Sequence, residues 1–110
     1  MATFLLQFSY SSASTKALID KPQNRRKLTE KMISSAGGSV KEMYFCFGDF
    51  DGLAICEFPS NVEAASVALA VGASGACSKF KTTVLMTMEE SQEAMKKAGK
   101  VRKAYSPPTA

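Results

Sequence analysis

Two apolar runs, Met43 to Phe47 and Leu53 to Phe58, are separated by five residues framed by glycines, Gly48-Asp49-Phe50-Asp51-Gly52. Glycine reaches backbone angles closed to other residues, and aspartate bonds its own backbone, so the segment reads as a turn. The runs on either side then become antiparallel neighbours in one sheet. No other local feature restricts the folding of the chain as strongly, because it fixes the pairing of two strands and centres their register near Phe50. With that register, Cys46 and Cys56 come out as diagonal neighbours on one face.

The remaining elements follow from pattern and punctuation. Phe4 to Phe8 reads as a first strand, leading into the hydroxyl-rich stretch Ser9 to Thr15. Lys16 to Ile19 can form a helical turn that Pro22 interrupts, and Asn24 to Ala36 carries Leu28, Met32 and Ile33 at helical spacing before Gly37-Gly38 ends it. Ser60 with Glu63 and Thr87 with Glu90 have capping-box spacing, in which a hydroxyl accepts from a first-turn amide and the carboxylate reaches back. They open an alanine-rich helix over Val62 to Val71 and a polar helix over Met88 to Ala98. Between these lies a last strand, Phe80 to Met86.

The order strand, helix, strand, strand, helix, strand is the ferredoxin-like βαββαβ order. It predicts an α+β fold with a four-stranded antiparallel sheet, two helices on one face and an appended C-terminal helix. With 110 residues the chain supports one domain, placed at residues 1–98, followed by a basic, proline-containing tail at 99–110.

A sheet covered on one face alternates apolar with polar residues. These strands do not. Met43, Phe45 and Phe47 oppose Tyr44 and Cys46; Leu53 and Ile55 oppose Ala54, Cys56 and Phe58; Leu5 opposes Phe4, Leu6 and Phe8. Exposing such side chains forgoes roughly 1.5 to 3 kcal/mol each. The second face therefore calls for a cover: a second copy, giving a dimeric α/β barrel and a homodimer or higher homo-oligomer, or else the appended helix of the same chain.

Charge narrows the partners. The formal charge of +4 resides in the tail, since Lys96, Lys97, Lys100, Arg102 and Lys103 face no acid after residue 94. One tyrosine, Tyr105, is a poor stacking platform, so nucleic acid is not the expected partner. Arg25, Arg26, Lys27 and Lys31 read as a solvated helix face. Three separated cysteines in apolar surroundings fit reduced thiols in the cytoplasm, and the first residues show neither a basic leader nor a membrane-spanning run. The absence of histidine removes Ser-His and Cys-His nucleophiles and the usual mixed zinc sites, so no metal and no cofactor are expected.

The opening turn and a series of ordered pieces resemble the GYD domain family: Phe8 to Ser12, Gly37-Gly38, Tyr44-Phe45, Gly48 to Asp51, Pro59-Ser60-Asn61, Ala73 to Ala76, and Thr82 to Leu85 with Thr87, Glu89 and Glu90. Phe50 stands where the family name has tyrosine. The resemblance implies a ferredoxin-like, dimeric α/β barrel and a small bacterial protein, and it carries over no catalytic residue.

Candidate sites therefore come from the residues alone. Phe8, Tyr10, Lys16, Tyr44 and Phe47 gather around the exit of the first strand and would suit a small apolar or aromatic ligand. Gly48, Asp49, Phe50, Asp51 and Gly52 read chiefly as a structural turn. The expected role is small-ligand binding or an accessory function. A cofactor-independent oxygenase or isomerase, with Tyr10, Lys16 or Tyr44 moving a proton, is the second class; a structural oligomerisation module is the third.

Overall fold

The computed structural model describes residues 1–109. Its sheet is built on β1 (Ala2–Tyr10), which pairs antiparallel with β3 (Gly52–Phe58) on one side and β4 (Cys77–Leu85) on the other. β2 (Ser39–Phe45) completes the order β2-β3-β1-β4 at the far edge. The helices are α1 (Ser12–Asp20), α2 (Arg26–Ser35), α3 (Asn61–Ser74) and α4 (Met88–Ala104). This is the ferredoxin-like arrangement, with its first crossover split into two helices around Pro22. The sheet of a single chain stays open.

The hairpin register differs from the expected one. Phe45 pairs with Gly52 and Tyr44 with Leu53, so the centre lies between Gly48 and Asp49 and not at Phe50. Cys46 consequently falls beyond the last ladder pair, its amide donating to the Asp51 carbonyl at 2.8 Å. Cys56 pairs across from Val40 inside the core, so the two cysteines are not diagonal neighbours.

α1 starts earlier than Lys16 because the Ser11 hydroxyl accepts from the Ser14 amide and turns the serine-rich stretch into a cap. α2 ends in a Schellman arrangement: the Gly37 amide donates to Ser34 and the Gly38 amide to Ile33, with Gly37 at φ 80°. A Cβ on Gly38 would lie 2.6 Å from the Glu57 carbonyl oxygen, so the chain crosses β3 there only as glycine. The final helix continues through Gly99 to Ala104, six residues past the expected end at Ala98.

The core lies on one face. Phe4, Leu6, Ala54, Cys56 and Phe58 from the sheet meet Ile33 of α2 and Ala64 and Val67 of α3. Phe4 and Phe58 pack edge to face with ring centroids 5.6 Å apart. Small residues on α3 let the helix approach the sheet closely. On the opposite face Leu5, Leu53 and Ile55 remain half-exposed and Tyr44 exposed.

α4 does not cover that face. None of its residues is buried, and Met88, Met95 and Val101 stand in solvent. The chain spans 59 × 32 × 23 Å with a radius of gyration of 17.8 Å, against roughly 13 Å for a compact domain of similar length. The possibility that the appended helix shields the sheet within one chain is thereby removed.

Candidate functional site

Strand pairing places one aromatic row across the helix-covered face: Phe8 of β1 lies between Gly52 of β3 and Phe80 of β4. Gly52 in turn pairs with Phe45 at the sheet edge. A Cβ on Gly52 would sit 2.5 Å from the Phe8 Cζ, so the Phe8 ring occupies space that the glycine leaves open. Two residues on, Tyr10 stacks edge to face on Phe8 with centroids 5.6 Å apart.

Two cavities open beside these rings. An outer cleft of about 480 Å³ runs from Phe8 to the α1–α2 connection, with Leu18, Pro22, Met43 and Phe45 among its walls. An inner cavity of about 220 Å³ lies under α2 and α3, lined by Leu6, Met32, Val71 and Phe80. Phe8, Tyr10 and Arg25 border both.

The turn is tied to the end of β1. The Asp51 carboxylate accepts from the Tyr10 amide at 2.8 Å, and the Asp51 amide donates to the Phe8 carbonyl at 2.9 Å. Asp49 contributes its backbone carbonyl, which accepts from the Lys79 ammonium at 2.8 Å and the Ser9 hydroxyl at 3.3 Å. The Lys79 ammonium also lies 4.8 Å from the centre of the Phe50 ring, a cation–π contact that does not need the hydroxyl of a tyrosine.

Of the ligand candidates, Phe8 and Tyr10 line both cavities and Tyr44 stands on the rim of the outer one, its hydroxyl donating to Glu42 at 3.2 Å. Lys16 does not join them. Its ammonium pairs with Asp20 at 2.6 Å, and it borders only a shallow depression on the outer side of α1. Phe47 is 93% exposed and lines none of the three cavities. Arg25 is solvent-exposed, as expected, and it also borders both cavities. Only Pro22 hinted at this, by marking the break that brings Gln23 to Arg25 over the sheet.

Burial raises the Tyr10 phenol above its ordinary range, partly opposed by the Arg25 guanidinium. Burial likewise raises the Cys77 thiol, helped by the Asp51 carboxylate and opposed by Arg25. Both groups are therefore protonated near neutrality, and the cleft offers hydrogen-bond donors in place of a phenolate base or a thiolate nucleophile. Among the described residues no three His, Cys, Asp or Glu side chains are gathered as a metal site.

The chain superimposes on FFRP-DM1 with a TM-score of 0.52 at 15% identity, covering 78% of this chain and all of that one. The hypothetical protein PHS023 from Pyrococcus horikoshii gives 0.51 at 15% identity, over 79% of this chain and 92% of that one. MtbAldR gives 0.50 at 14% identity, over 78% of this chain and 52% of the larger protein. These likenesses establish the shared α+β fold. No functionally curated protein matches the chain. The sequence profile of the GYD domain matches residues 4–95, from the first core phenylalanine of β1 into α4. The chain belongs to the GYD domain family.

Proposed function

We propose that the protein is a homodimer that binds a small, largely apolar organic molecule in the adjoining cavities beside Phe8 and Tyr10. The observation that carries this reading is that the outer cleft and the inner cavity share Phe8, Tyr10 and Arg25 as walls. Apolar walls with a few convergent polar groups are the usual composition of such sites. The dimer is supported by the apolar open face of the sheet and by α4, which finds no packing within its own chain. Three free thiols fit a reducing compartment, and no helix among the described residues is long and apolar enough to cross a membrane. We place the protein in the cytoplasm on the ground of its reduced thiols.

Binding is favoured over catalysis because Lys16 lies outside the cleft and the Tyr44 hydroxyl is engaged with Glu42, so that of the three proton-moving candidates only the Tyr10 phenol faces both cavities with its hydroxyl group uncommitted to a carboxylate. Native mass spectrometry of the purified protein tests the reading. The expected result is a dimer carrying a small molecule, with the molecule lost or weakened in Phe8→Ala. A ligand-free dimer whose thermal response to a metabolite panel is the same in Phe8→Ala would support a structural oligomerisation module instead.

A further inference from the structure

The ligand-binding reading leaves the chemical class of the ligand open, and Arg25 narrows it. This side chain borders both the outer cleft and the inner cavity, beside Phe8 and Tyr10. Its guanidinium donates to the neutral Gln23 side-chain oxygen at 3.1 Å. Among the described residues no carboxylate comes within 4.0 Å of it, whereas its neighbour Arg26 pairs with Glu30 at 3.8 Å. Asp51, the acid whose charge reaches Tyr10 and Cys77, has one carboxylate oxygen taken by the Tyr10 amide.

The inner cavity next to this charge is apolar, with walls from Leu6, Met32, Ala54, Val71 and Phe80. Its volume of about 220 Å³, at roughly 30 Å³ for each water-sized group, has room for about seven such groups, one aromatic ring or a short branched chain. An apolar body held there would bring a terminal charge to Arg25 at the mouth. A guanidinium matches a carboxylate by two parallel hydrogen bonds, and such charge-assisted bonds are about twice as strong as neutral ones. The first turn of α2 carries no acidic residue and begins with Arg26 and Lys27, and the one acid of that helix, Glu30, pairs with Arg26 and leaves Arg25 to the anion. The protonated Tyr10 phenol adds a donor on the same side.

On the basis of the binding reading above, we propose that the ligand is a small aromatic or branched aliphatic carboxylate whose charge is held by Arg25 and whose apolar body fills the inner cavity. A phosphate ester or other dianion fits less well, because Arg26 is engaged with Glu30 and no further cation lines the inner cavity.

Titration of the full-length protein with benzoate and with neutral benzamide, followed by amide NMR shifts, tests the proposal. Benzoate at millimolar concentration is expected to shift Phe8, Tyr10, Thr29 and Val71 together, and benzamide to bind about tenfold more weakly. Arg25→Gln should weaken benzoate by about tenfold or more while leaving benzamide unchanged, and Arg25→Lys should lose less. Arg25 is an exposed side chain outside the core, so the variants keep the fold. Equal binding of benzoate and benzamide at these residues, or benzoate binding unchanged in Arg25→Gln, would overturn the carboxylate assignment and leave the cavity reading intact. A neutral molecule that copurifies in a Phe8-dependent manner, with no benzoate shifts, would also refute the anion while supporting the site. Absence of both would sink the two readings together.

Discussion

Gly52 makes room for the Phe8 ring by carrying only a hydrogen. Alanine at this position would place a methyl group 2.5 Å from the Phe8 ring, which is itself packed against Tyr10. Overpacking of this kind costs about 1–3 kcal/mol. Gly52→Ala is expected to lower the unfolding free energy by that amount in a urea titration followed by fluorescence or circular dichroism, and to disturb ligand-induced shifts at Phe8. Cys56 gives a second prediction at this scale. Burial pushes its thiol up from 9.0 to about 11, so the folded state holds a proton that the unfolded state releases first. The stability conferred is complete below pH 9 and is lost as pH rises to about 11. Tyr10 and Cys77 act in the same direction. Denaturation measured from pH 8 upward should show falling stability, and Cys56→Ala a shallower fall. Phe8 and Tyr10 were legible in the sequence because they close a strand whose apolar pattern is strong. Arg25 was not, because its position depends on the path of the α1–α2 connection, which no periodicity encodes. Phe47 was misplaced since alternation loses meaning beyond the last ladder pair, at Phe45.

The elements were legible to the extent that their signals were local. Both capping pairs start helices, yet they are built differently. Thr87 and Glu90 form the full reciprocal box, with the Glu90 side chain accepting from the Thr87 amide at 2.9 Å. At α3 the Ser60 hydroxyl accepts from the Val62 amide and donates to the Glu63 carboxylate, which does not reach back to the backbone. α3 contributes Ala64 and Val67 to the core, so Ser60→Ala should lower global stability by about 1 kcal/mol in a denaturant titration. Thr87→Ala should instead appear as lost helical circular dichroism, since α4 buries no residue that would tie its cap to the core. The hairpin was recognised as a hairpin, but its register was off because a loop reaching from Cys46 to Asp51 is centred by its hydrogen bonds to β1, which are distant in sequence.

At the scale of the whole molecule, the absence of alternation in the strands pointed to two covered faces, and the structure shows one of them covered. The other presents Leu5, Leu53 and Ile55 from the two central strands. A carboxylate introduced among them would be costly to desolvate against a second sheet. Ile55→Glu is therefore expected to shift the proposed dimer to monomer in analytical ultracentrifugation, whereas Phe47→Glu, outside the ladder and already in solvent, should leave the mass unchanged. An unaltered dimer in Ile55→Glu would show that the open face is not the interface.

The detachment of α4 has a consequence for measurement. Its 17 residues hold exposed Met88, Met95 and Val101 with no support from their own sheet, and a lone helix of that length is marginal in water. The ellipticity of the protein should then depend on how much of it is in the cuvette. In the proposed homodimer, dilution below the dissociation constant would bleach the signal of α4 while the four strands persist, making this helix a built-in optical gauge of self-association.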